Sequence, residues 1–231
     1  AEIGSTSDEK RRFGLLKLTK QISRNYRPLA MPSELLKRSL AGVRARIRDM
    51  DHSMGSEGDG VWIVFNDPGL IDESAYTEII EWKRKQEEWF QGMHDTGRPK
   101  MQFFVNRLSE TDRSSLTSRF SKLVKKLCAP ESEFVKRVVF DLATRSDANV
   151  EIDDILVEEI IRYSEHWRFF LASMAYGLFA RGVKQTKFSK KQNPGSIDTQ
   201  QAVYLASCDV FVTADNEQLR LLRLLVPFGH K

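Results

Sequence analysis

The chain has 231 residues and a mass of 26.6 kDa, with 36 Lys and Arg against 32 Asp and Glu, a formal charge of +4. Hydrophobic residues at 41%, charged residues at 29%, and only 7 prolines and 13 glycines exclude collagen, a Pro-rich linker and a wholly disordered chain. A chain of this length can bury roughly 70% of its extended surface, so a globular fold of one or two domains is expected without a metal or disulfide staple.

The opening, Ala1 to Asp8, is small and polar and reads as a loop. From Glu9 the pattern is helical, with Phe13, Leu15, Leu16, Leu18 and Ile22 recurring among lysines and arginines. Pro28 to Pro32 is a short apolar segment, read as a brief strand leading into a helix, with Ser33 as N-cap or Pro32 near the first turn. Leu35, Leu36, Leu40 and Val43 supply that helix's inner face. Asp51 to Gly60 is loop, and Val61 to Phe65 reads as a buried strand ended by the turn-prone Asn66-Asp67-Pro68-Gly69. A buried apolar strand followed by helices favours an α/β layer arrangement.

The middle is rich in helical stripes. Glu73 to Met93 carries Tyr76, Ile79, Ile80, Trp82, Trp89, Phe90 and Met93, and Gly97 to Pro99 is expected to break the helix. Trp82 and Trp89 are spaced for one helical face, which fits core or interface packing. Leu116, Phe120, Leu123, Val124 and Leu127 trace a second stripe, and Phe134, Val135, Val138, Val139 and Leu142 a third. Ile155 to Val183 reads as two helices or one bent one. Arg181 to Ser196 is a basic, exposed segment. Asp198 opens a helix, Val210 to Val212 reads as a short buried strand, Ala214 to Leu225 as the final helix, and Val226 to Phe228 as a last strand.

Cys128 and Cys208 lie far apart, without the close pairs of a zinc site, and read as reduced core residues. His52, His94, His166 and His230 are scattered without ligand spacing, and no nucleophilic triad is evident. No apolar run approaches the ~18 residues of a membrane span, so a cytoplasmic protein with no membrane partner is expected.

The last 34 positions carry the most chemistry. Asp198 sits at a helix start and Asp215 just past Val210 to Val212, and in a parallel α/β sheet strand ends and helix starts converge on one crevice. Clustered carboxylates repel unless a hard divalent cation joins them, and such ions activate water and neutralise phosphate charge.

The stretch Asp198-Thr199-Gln200-Gln201-Ala202-Val203-Tyr204-Leu205-Ala206-Ser207-Cys208-Asp209-Val210-Phe211-Val212-Thr213-Ala214-Asp215 resembles the C-terminal signature of PIN-domain nucleases. There an Asp opens an alanine-rich helix, followed by a strand of the type D-x-hydrophobic-V-T-x-D. The resemblance implies a three-layer α/β PIN-like fold with a central parallel sheet and an enlarged helical portion. Residues 1–231 would form one domain, with 73–183 as a helix-rich insertion or cap. It implies a Mg²⁺- or Mn²⁺-dependent endoribonuclease, possible kin of the toxins that pair with a protein antitoxin.

In that reading Asp198 and Asp215 hold the metal, Thr213 braces the acidic loop, and Asp209 is structural. Ala30 to Arg38 resembles the family's hydrophobic-Pro-Ser segment, so Glu34 is the candidate third acid, although the family's Glu position falls near Arg38. A further Asp is expected from a first strand preceding Ala1. Lys184, Lys187, Lys190 and Lys191, with Arg38, are candidates to hold the RNA backbone. The alternative is a catalytically inactive PIN-like module binding nucleic acid or protein. A third reading is a helical interaction protein whose aromatic stripes bind another chain, which predicts no metal binding and a concentration-dependent oligomer.

Overall fold

In a computed structural model, the structure describes residues 8–23, 30–45, 73–107, 109–110, 116–129, 131–144, 152–183, 196–208, 210–213 and 215–229. Among them every regular element is helical. In chain order these are α1 (Glu9–Ser23), α2 (Pro32–Ala45), α3 (Glu73–Asn106), α4 (Leu116–Leu127), α5 (Glu133–Thr144), α6 (Asp154–Tyr163), α7 (Glu165–Val183) and α8 (Ser196–Gln201). A 3₁₀ turn over Ala202–Ala206, α9 (Asn216–Leu225) and a closing 3₁₀ turn over Val226–Phe228 complete the order.

This overturns the expected α/β fold. With no strand among the described residues there is no central parallel sheet, and the PIN resemblance does not carry a PIN domain with it. The decisive segment is Val210 to Val212. A strand of a parallel sheet is covered on both faces, whereas here Val210 is 76% and Val212 87% exposed, and only Phe211 turns inward. Val226 to Phe228, read as a last strand, is a 3₁₀ turn instead. Val61 to Phe65 lies outside the described residues.

The chain divides into two compact units. One comprises Ala1–Met31 and Asp51–Trp89. Its α1 is entered through Asp8, whose carboxylate accepts the Arg11 N–H at 3.0 Å, and the Arg12 guanidinium lies 4.6 Å from the centre of the Tyr76 ring. The other unit comprises Pro32–Met50 and Phe90–Lys231.

In this second unit α2 starts at Pro32, where the missing N–H is no loss, with Glu34 in the first turn and Arg44 in the last to suit the helix dipole. Leu35, Leu36, Ser39 and Leu40 form its buried face. Asp153 caps α6 by accepting the Leu156 N–H at 2.7 Å, and Leu156, Val157 and Ile160 face the core. Ser164 ends α6 in an extended conformation and its hydroxyl accepts the Trp167 N–H at 3.2 Å. One serine thus stops one helix and starts the next, which makes Ile155 to Val183 two helices.

The second of these is the centre of the unit. From Trp167 to Leu178 every residue of α7 except Arg168 is buried, so this stretch is covered all round. Phe120 and Val124 of α4, Leu221, Leu222 and Leu225 of α9, and Ala202 of the 3₁₀ turn join Phe169, Ala172, Ala175 and Tyr176 in one apolar cluster. Phe120 meets Tyr176 and Phe228 edge-on, with centroids at 5.6 and 5.7 Å. The Ser173 hydroxyl, deep among these residues, lies 2.8 Å from both the Phe170 and the Thr199 carbonyl oxygens and so ties α7 to α8.

The expected break at Gly97 to Pro99 does not occur, and α3 continues to Asn106 with Pro99 inside it. Packing outweighs the local preference there: a Cβ at Gly97 would overlap the buried Leu178 side chain, so α3 runs hard against α7 at that point. Gly229 is similarly tight, its missing Cβ lying where the Phe169 ring sits. Gly229→Ala is therefore expected to cost about 1–3 kcal/mol by overpacking. Gly92→Ala, on an open part of α3, should stabilise by about 0.5–1 kcal/mol through helix propensity. Urea unfolding of the two variants checks both signs.

Candidate functional site

The segment from Ser196 to Gln218 holds most of the residues singled out for chemistry. Asp198 lies in the first turn of α8, half-buried. Gln201 ends α8, and its side-chain carbonyl accepts the Gln218 amide N–H at 2.6 Å. The Gln218 carbonyl in turn accepts the Thr213 hydroxyl proton at 2.5 Å, and the Thr213 oxygen accepts the Asp215 N–H at 3.1 Å. These four residues form a polar clasp that joins the end of α8 to the start of α9. Gln218, which sequence reasoning did not single out, is its buried hub.

Asp215 is the N-cap of α9. Its backbone is extended (φ −85°, ψ 115°), and Oδ1 accepts the Glu217 N–H at 2.7 Å and the Gln218 N–H at 3.0 Å. A helix leaves its first N–H groups without internal partners, and Asp215 satisfies two of them. The Thr-x-Asp spacing that reads as a metal-binding signature is here an entry motif for a helix. Asp215→Ala is accordingly expected to lower stability by about 1 kcal/mol, while Asp215→Asn, an equally good cap, retains nearly all of it. Urea denaturation separates this pattern from that of a metal ligand, for which Asn and Ala are both damaging.

Glu34 is engaged elsewhere: its carboxylate pairs with Arg38 one turn along α2, at 2.9 Å, so the expected acid and the expected phosphate contact meet each other. Among the described residues no three His, Cys, Asp or Glu side chains form a group able to hold a metal ion. Asp198, Asp215 and Glu34 are therefore not gathered into a ligand cluster. With neither sheet nor cluster, the metal-dependent endoribonuclease and the inactive PIN-like module are both overturned. Asp209, Lys184, Lys187, Lys190 and Lys191 lie outside the described residues.

Other reactive side chains are tied into the fold. The buried His166 ring reaches the Ser207 hydroxyl through Nε2 at 2.8 Å, fastening the start of α7 to the end of the 3₁₀ turn. Cys128 and Cys208 remain thiols. Burial pushes the Cys128 thiol up to about 12, which removes the nucleophilic thiolate at neutral pH. No helix among the described residues is long and apolar enough to cross a membrane.

Some large apolar side chains remain outward. Phe103 is 58% exposed, but the Arg107 guanidinium stacks 3.9 Å from its ring centre. Tyr163 has Arg162 nearby at 6.0 Å. Val210 and Val212 have no such cover. They flank the inward-facing Phe211 in a segment outside any helix, and no described residue hydrogen-bonds the main chain of Val210, Phe211 or Val212. Sequence reasoning found this segment as a strand but placed it inside. The signal available was its alternation, Val out and Phe in, between Asp209 and Asp215. No family profile, curated protein or solved structure matches the chain.

Proposed function

We propose that the chain is a helical interaction module that receives an extended segment of another polypeptide along Val210 to Val212. One observation carries this reading: two exposed valines flank an inward phenylalanine in a segment outside any helix, and the backbone N–H and C=O groups of these three residues have no partner among the described residues. Such an edge is a template for strand addition, in which main-chain bonds supply affinity and alternate side chains supply selectivity. Phe211, packed against the core cluster, anchors the middle of the segment and the Thr213–Gln218–Asp215 clasp follows its end, without using the backbone of residues 210–212. A helical core is then the rigid support on which three residues of edge are displayed.

The test is a random peptide display library selected on the full chain and on its Val212→Pro variant. Proline suits an extended backbone and removes an N–H that no described residue uses. Enriched peptides should alternate apolar and polar residues, and the proline variant should lose their capture with its thermal unfolding unchanged. No enrichment, or enrichment indifferent to the proline, overturns the reading.

A further inference from the structure

We infer that the outer face of α4, joined by the arginines of α9, grips the phosphate backbone of a nucleic-acid duplex without reading its sequence.

The face starts from composition. α4 carries Arg119, Lys122, Lys125 and Lys126 and no Asp or Glu. Its apolar side, Phe120, Leu123 and Val124, is buried, whereas Lys122, Lys125 and Lys126 are exposed. At 3.6 residues per turn these lysines fall within an arc of about 100° and along about 6 Å of helix axis. Other helical cations of the molecule meet an acid one turn away: Arg38 with Glu34, Lys85 with Glu81, Lys136 with Glu133, and Arg162 with Glu158. In α4 every position three or four residues from a lysine is uncharged or basic. Like charges at that spacing weaken a helix, and a polyanion laid along them turns repulsion into attraction.

α9 extends the positive charge. Both helices send apolar residues into one cluster around α7, and Phe228, just past α9, meets Phe120 of α4 edge-on at 5.7 Å. Arg220 and Arg223 of α9 are exposed, and its single acid, Glu217, is half-buried. Burial pushes the Tyr176 phenol pKa up and Arg220 opposes this, with Glu217 acting the other way, so Arg220 stands close to Tyr176. The Tyr176 ring in turn meets Phe120 of α4.

The chemistry of the face selects the partner. A duplex carries one negative charge per about 1.7 Å of axis and binds Lys and Arg by releasing its counterions, with no need of apolar contact. A protein partner requires an aromatic or aliphatic anchor, a single strand requires rings on which bases stack, and stable membrane attachment requires a second signal besides charge. Among the described residues none of the exposed large apolar side chains lies on α4 or α9. Contacts made to phosphates alone carry no sequence information.

The test is fluorescence anisotropy of labelled DNA and RNA duplexes of about 20 bp, titrated with the full chain between about 50 and 200 mM salt. Three to five phosphate contacts give a log–log slope of about −3 to −4.5 with DNA, so affinity should fall by about 60- to 500-fold across that range. Lys125→Gln should reduce the slope by about 1, and the joint Lys122→Gln, Lys125→Gln and Lys126→Gln variant by about 2–3, with helix content retained because Gln is a good helix former. Neutralising the exposed Lys10, Arg11 and Lys17 of α1 in the same way removes equal charge from another helix and should leave the slope unchanged. Failure to bind either duplex overturns the inference, as does an equal loss in both triple variants, which would show bulk charge alone. A strong dependence on base sequence overturns it too. So does tighter binding, at matched charge, of a single strand, of polyglutamate or of phosphatidylserine vesicles.

Discussion

Trp167→Ala is expected to destabilise the second unit by about 3–5 kcal/mol, a large share of the total stability of a domain of ordinary size. Trp167 stands one turn into α7 with its ring almost entirely buried. Its indole N–H donates to the Leu36 carbonyl of α2 at 3.0 Å, and its ring meets Phe170 edge-on at 6.1 Å. Removing it opens a cavity beside Phe170 and takes away a buried hydrogen bond to α2. Trp167→Phe fills most of the space but loses the bond to the Leu36 oxygen, which keeps its helical partner, so a smaller loss of about 1 kcal/mol is expected. Circular dichroism through a urea titration reports both, and equal costs for Phe and Ala would show that the hydrogen bond, not the volume, dominates.

The second large effect is expected at Arg168. This side chain interrupts the apolar run of α7 and spends its donors on main-chain carbonyls. Nε reaches Phe228 at 3.0 Å, Nη2 reaches Gly229 at 3.0 Å, and Nη1 reaches Ile161 and Arg162 at 3.1 and 2.9 Å. Glu165 adds a carboxylate at 3.3 Å. Desolvation pulls the guanidinium pKa down and Glu165 opposes this, which leaves the group charged at any working pH. Arg168→Ala leaves the last carbonyls of α6 and of the closing 3₁₀ turn without their donor and is expected to cost about 3 kcal/mol. Lysine, a single ammonium, cannot span four carbonyls, so Arg168→Lys should recover less than half of the loss. Limited proteolysis at Val226 to Gly229 should accelerate in both variants. Because the partners are carbonyls rather than one ion pair, added salt should change little.

Much of the helical order was legible because burial leaves a periodic trace. Leu35, Leu36 and Leu40, then Phe120, Leu123 and Val124, then Val135, Val138 and Val139, each contain three- or four-residue spacings, and each set is buried. A helix start was legible where chemistry is local, as at Pro32. The misreadings came from short segments. Three apolar residues in a row, as at Val210 to Val212, carry no period that distinguishes an inner strand from an edge held out by one inward phenylalanine. An Asp that caps a helix and an Asp that binds a metal look alike, since both stand at a helix start; only the partner N–H groups of Glu217 and Gln218 tell them apart. Arg168 and Gln218 left no trace in the sequence beyond being polar residues in mostly apolar helix faces, because their partners are distant in the chain.

The enclosure of α7 has a consequence for how the molecule is made. Its flank at Phe169, Ala172 and Tyr176 shares one cluster with Leu221, Leu222 and Leu225, which come much later in the chain. While the ribosome adds the intervening stretch, those aromatic rings have no lid and remain in water. At about 5–20 residues per second the delay lasts seconds, long enough for a nascent-chain chaperone to bind or for neighbouring chains on one message to stick together.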